Sequence, residues 1–222
     1  MRKQPFASFA FTIIIIALFL SACSEPASIE HNNKQRVSPF KSLQVNDKEL
    51  GELKFKGDLV LAKSWQDRNG LNFLLLSQLY SEKEDPEMGD MLTTRELYAY
   101  HYTKKSGQIK QLRKFQDWEK ECFFDNRARF INDAVSITDL DNNNYGEATF
   151  VYRLACLSEL DSETLKLILT ENGKKYAIRG TTDLDAFGQL EKGKTNIDSS
   201  FSDAPKEFLE HARQIWKKNQ AL

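Results

Sequence analysis

The sequence predicts a mainly-β domain: an antiparallel meander sheet with a propeller-like loop hairpin and a C-terminal amphipathic helix. Three observations carry this. Apolar and polar residues alternate along several runs, tight-turn pairs fall between those runs, and only the last segment has a helical period. Leu165, Leu167 and Leu169 alternate with Lys166 and Thr170, and Tyr98, Tyr100 and Tyr102 with Ala99 and His101. Candidate strands are 53–64, 71–81, 95–104, 109–118, 133–138, 147–156, 164–171 and 174–181. Asn69-Gly70, Ser106-Gly107 and Asn172-Gly173 supply turns that tolerate positive φ, and an Asn-Gly pair between strands is a strong short hairpin signal. Phe208, Leu209, Ala212, Ile215 and Trp216 then mark 205–219 as an amphipathic helix, with Ser202 or Asp203 to cap it and Pro205 in its first turn.

The beginning of the chain reads as an export signal. Arg2 and Lys3 precede the apolar run Thr12–Leu20, which is shorter than the ~20 residues needed to span a bilayer. The run ends in Leu20-Ser21-Ala22-Cys23, which resembles the lipobox of bacterial lipoproteins. That resemblance implies cleavage before Cys23, acylation of its thiol and a lipid anchor in the membrane. Residue 24 is Ser, not the Asp of an inner-membrane retention signal, which favours the outer membrane of a cell envelope. The expected organisation is a signal peptide over 1–22, a lipidated tether over 23–50 and one mainly-β domain over 51–222. A polar tether of that length, broken by Pro26 and Pro39, reaches roughly 30 Å.

Composition narrows the function classes. Lys and Arg number 31 against 32 acidic residues, and loss of Arg2 and Lys3 with the leader makes the balance more acidic. Neither nucleic acid nor anionic lipid is an expected partner for such a surface. Gly188–Thr195 (GQLEKGKT) fits the phosphate-loop pattern letter for letter, but its flanks read as neither a buried strand nor an apolar-periodic helix. It is taken as a polar loop, and no nucleotide is expected. Ser81–Asp90 is acidic without ligand spacing and reads as a solvated loop. His31, His101 and His211 are scattered, and there is no H-E-x-x-H, G-x-S-x-G or C-x-x-C pattern. No catalytic residue is therefore assigned, and His101 is read as structural.

One segment carries recognisable chemistry. From Asp139 as position 1, oxygen side chains fall at positions 1, 3, 5 and 9 as Asp139, Asp141, Asn143 and Glu147, and Tyr145 offers a backbone carbonyl at position 7. A coiled loop can turn such alternating oxygens inward around calcium, which takes six to eight of them. The pattern resembles the calcium loops of β-propeller and integrin-type repeats. It departs from an EF-hand, since position 12 is Phe150 and position 6 is Asn144. An Asn-rich hairpin turn without metal is the competing reading. Cys122 and Cys156, the only other thiols of an exported chain, are expected to form a disulfide, with buried free thiols as the alternative.

Cys122–Asp125, the run ITDLDNNNYGEATFVYRLAC at 137–156, Leu165–Ile168 and Lys175–Gly180 resemble a group of bacterial surface lipoproteins described in places as surface polysaccharide biosynthesis proteins. The resemblance covers about 115–181 and implies an envelope role connected with polysaccharide. The expectation is a non-catalytic, calcium-stabilised lipoprotein that supports assembly or presentation of that polysaccharide by binding. A carbohydrate-active enzyme with a carboxylate pair, or a structural partner of another envelope protein, are the alternatives.

Overall fold

The computed structural model describes Phe40, Leu43 and residues 45–221, all within one structural unit. The leader, Cys23, His31 and most of the expected tether lie outside the described residues. Among the described residues, no helix is long and apolar enough to cross a membrane. The chain is mainly β with a C-terminal helix, and its strands divide between two principal sheets plus a small hairpin, where a single meander was expected.

The first sheet is a meander in chain order: β1 (Asp58–Asp67), β2 (Gly70–Glu84), β3 (Met91–Lys105) and β4 (Gln108–Cys122). Ser106 and Gly107 have φ of 50° and 78°, the left-handed pair whose twist matches a two-residue hairpin. The first strand begins at Asp58, not 53, for a steric reason. Gly57 sits at φ 82°, and a Cβ there would run into the backbone of Gln78.

The second sheet has the order β12-β9-β8-β7-β5, from β5 (Asp125–Phe130), β7 (Glu147–Leu157), β8 (Thr164–Glu171), β9 (Lys174–Thr181) and β12 (Thr195–Ile197). A short β6 (Ser136–Thr138) pairs with the start of β7 while β5 pairs with its end, so the two share one edge of β7. Residues 133–138 were expected to be strand throughout; a 3-10 turn at Asn132–Ala134 occupies the first part. Two-residue turns join β8 to β9 at Asn172 (φ 45°) and Gly173 (φ 78°), as the sequence predicts.

Gly188–Thr195 is not a simple loop. Phe187 and Gly188 form the left-handed turn between β10 (Leu184–Ala186) and β11 (Gln189–Glu191), and Thr195 opens β12. Asp183 Oδ1 accepts from Gly193 N at 2.9 Å, and no α-helix begins until Lys206. The strand–loop–helix context of a phosphate loop is absent here.

The sheets pack face to face. Trp65, Leu74, Leu76, Leu97 and Ala99 from the first meet Phe130, Phe150, Tyr152, Leu154 and Ile168 from the second in one core. Phe150 lies edge-on to Phe115 and Phe130, with ring centroids 5.5 and 6.1 Å away. The opposite face of the second sheet carries Val151, Leu165, Leu167, Leu169 and Ile178, covered by Phe208, Ala212 and Trp216 of α2 (Lys206–Gln220). Because β7 and β8 are buried on both faces, their inward residues cannot be told apart by alternation alone. The helix has Pro205 at its N-cap with no side-chain cap; Asp198 instead caps the 3-10 turn Ser199–Phe201.

The outer face of the first sheet is covered by the segment just before β1, which includes residues expected in the tether. A short α1 (Asp47–Gly51) opens with a capping box between Asn46 and Glu49. Leu50, Leu53 and Phe55 pack on Phe73, Leu75 and the tyrosines 98, 100 and 102. Lys56 N donates to Tyr100 Oη at 3.1 Å, and Tyr102 Oη donates to Lys54 O. The ordered domain therefore reaches back at least to Leu43, whose N–H donates to Ser64 O at 2.9 Å.

A disulfide ties the two sheets beyond apolar packing, and a histidine is buried on the inner face of the first. Cys122 at the end of β4 is bonded to Cys156 in β7, with Cα atoms 5.7 Å apart. His101 on β3 lies in the interior against Trp65, ring centroids 5.2 Å apart, with only 1% exposure. Its Nε2 faces Asn72 Oδ1 at 3.2 Å, and Asn72 Nδ2 is committed to Gly70 O, so Nε2 carries the proton. Nδ1 has no partner, and burial holds the imidazole pKa down to about 4 against the weaker pull of the Asp67 charge.

Candidate metal centre

Residues 139–146 join β6 to β7, whose register sets Thr138 opposite Glu147. Asn142 and Asn144 lie at φ 58° and 64°, the left-handed region that Asn tolerates, so Asn144 takes the conformation that glycine supplies in EF-hand loops. The coiling brings Asp139, Asp141 and Glu147 together: one carboxylate oxygen from each lies within 4.8 Å of the others.

Glu147 is fully buried. Its Oε2 accepts from Thr138 Oγ1 and from Leu140 N, both at 2.9 Å, while Oε1 has no partner. Burial pushes its pKa up to about 8, with the Glu171 and Asp141 charges adding to the rise and the two hydrogen bonds opposing it. Asp139 also carries a buried oxygen, Oδ1, without a hydrogen-bond partner. Its pKa is raised, chiefly by burial and then by Asp141, against the backbone N–H groups of residues 144, 143 and 142.

Asn143 does not present itself as expected. Its Oδ1 accepts from Tyr145 N at 2.7 Å, while its Nδ2 donates to Asp141 Oδ2 at 2.9 Å and Glu171 Oε1 at 2.6 Å. The amide turns its nitrogen, a non-ligand, toward the acids, because the Tyr145 N–H claims the oxygen. Tyr145 is held there with its ring 4.9 Å from the Arg68 guanidinium.

The first sheet pins the loop from outside. Gly146 N and Trp65 Nε1 donate to the same Asp67 oxygen at 2.9 and 3.1 Å, and Arg68 N donates to Asn144 O at 3.0 Å. A Cβ at Gly146 would overlap the Trp65 indole, so only glycine fits. Glu171 and Asp67 escaped the sequence reading. Glu171 could have been found by extending the Asn172-Gly173 hairpin to the register of its neighbour.

An all-oxygen set of carboxylates, with no His or Cys in it, suits a hard cation such as calcium better than zinc. Comparisons with family models, curated proteins and solved structures return no match for this chain.

Proposed function

We propose that this chain is an exported, lipid-anchored lipoprotein of the bacterial cell envelope whose calcium-stabilised domain acts by binding, without catalysis, in surface polysaccharide assembly or presentation. The observation that carries the calcium reading is Glu147, a fully buried carboxylate that has one unpaired oxygen and stands beside two further acids. Burial makes this carboxyl hard to ionise, and a divalent cation offsets the cost of its charge. The disulfide supports export, since such bonds persist in oxidising compartments. The lipobox ending in Cys23 supports the anchor.

Extracellular calcium modules bind at about 10⁻⁴–10⁻³ M. A tenfold excess over Kd then stabilises the fold by roughly 1.4 kcal/mol. Thermal melts in chelator and in millimolar calcium should show the rise, and Asp139→Ala or Asp141→Ala should abolish it. A parent whose melting ignores calcium would leave the loop an ordinary Asn-rich turn.

The envelope role is tested in cells. Cys23→Ser, which lacks the acylated thiol, should be released from the membrane and should change the amount of surface polysaccharide without changing its chain lengths. Altered chain lengths would favour a carbohydrate-active enzyme, and an unchanged envelope with one stoichiometric protein partner would favour a structural role.

A further inference from the structure

We propose that Glu171, on the strand beside the loop, is the fourth carboxylate of the cation site, and that Asn143 positions it and is not itself a ligand. This rests on the calcium reading above and adds a ligand that lies outside the loop.

The register of β7 and β8 sets Glu147 directly opposite Glu171. Facing residues on neighbouring strands project to the same side of a sheet. Here that side is the one carrying Val151, Leu169 and Tyr176, so both carboxylates stand at the rim of the core beneath α2. Two carboxylates placed directly opposite destabilise a sheet unless one holds a proton or a cation neutralises both. Lys174 faces Glu171 from β9, yet no ion pair within 4.0 Å joins the two among the described residues.

Asn143 then draws Glu171 to the loop. One amide nitrogen bridges Asp141 Oδ2 and Glu171 Oε1, at 2.9 and 2.6 Å, so a single NH₂ group separates the two carboxylates. The far-end glutamate of a twelve-residue calcium loop cannot come from position 12 here, because Phe150 is there and is fully buried between the sheets. Glu171 supplies that carboxylate from across the register. The independent sign that a ligand belongs here is Glu147 Oε1, an oxygen of a fully buried side chain for which the protein offers no donor.

Calcium titration of the purified protein by calorimetry separates the possibilities. The parent should bind one calcium per chain, and Glu171→Gln should weaken binding by about tenfold or more, as Asp141→Asn does, because affinity follows the number of charged ligands. Its melting temperature in chelator should hold or rise, since one of four crowded acids is gone, so lost binding is not lost folding. Asn143→Asp is the second arm. As a positioning donor, Asn143 loses its bridge on becoming a carboxylate and binding weakens; as a ligand through oxygen, it gains charge and binding tightens. A parent that binds no calcium would overturn the calcium reading itself and this ligand with it. Binding in the parent with unchanged affinity in Glu171→Gln and tighter binding in Asn143→Asp would overturn the assignment of Glu171 alone.

Discussion

Replacing Cys122 and Cys156 together by serine is expected to lower the unfolding free energy by about 4 kcal/mol, the value that the chain-entropy model gives for a bridge closing a loop of this length. The two cysteines are 34 residues apart in sequence, and the segment between them contains β5, β6 and the whole candidate metal loop. Without the bridge, the unfolded chain regains the freedom of that entire segment. The native state also loses its one covalent tie between the end of β4 and β7. Urea unfolding of the parent and the double variant measures the effect. The denaturant slope should rise as well, because an unbridged unfolded chain exposes more surface. A loss below about 1 kcal/mol would mean that the apolar interface alone sets the unfolding equilibrium.

Acid should destabilise the fold through His101 before most carboxylates titrate. Its folded pKa is depressed to about 4 by burial, whereas an unfolded imidazole titrates near 6.5. Between those values the unfolded chain binds a proton that the native state refuses, so stability falls as pH falls through this window and is unaffected by this group above it. At 1.36 kcal/mol per pH unit the loss approaches about 3 kcal/mol near pH 4. Comparing unfolding free energies at pH 7 and pH 4.5 for the parent and for His101→Gln isolates this contribution, since glutamine does not titrate. Equal pH dependence in both proteins would show that the imidazole takes up its proton in the folded state.

The strands easiest to place from sequence were those with a strong turn signal between them. Residues 164–171 and 174–181 occupy β8 and β9 to the residue, because Asn172-Gly173 fixes the hairpin and so the register. The start of β1 was displaced because Leu53 and Phe55 alternate like strand residues, yet the backbone of their neighbours Lys54 and Lys56 is held by tyrosine hydroxyls ahead of a left-handed Gly57. Residues 125–130 alternate in burial, but their apolar positions are only Ala128 and Phe130 among two arginines, too weak a pattern to read. The division into two sheets was hidden by β7, which is apolar on both faces.

The site was legible to the extent that it is local. Asp139, Asp141 and Glu147 lie within nine residues, and spacing alone groups them. The orientation of the Asn143 amide is decided by competition with the Tyr145 N–H, and the approach of Glu171 by inter-strand register. Neither leaves a mark in local spacing.

The outer edge of the first sheet has a bearing on how such a protein tolerates crowding. β4 is fifteen residues long and ends the sheet, so it presents a row of backbone groups that a strand from another copy could extend. Lys110, Arg113, Lys114 and Lys120 are distributed along it, interleaved toward its end with Asp117, Glu119 and Glu121. An incoming strand would have to set its own side chains beside these charges and strip water from them. A long open edge of this kind is the usual starting point of fibrillar association, and dense charge along its length is what keeps neighbouring molecules from templating one another.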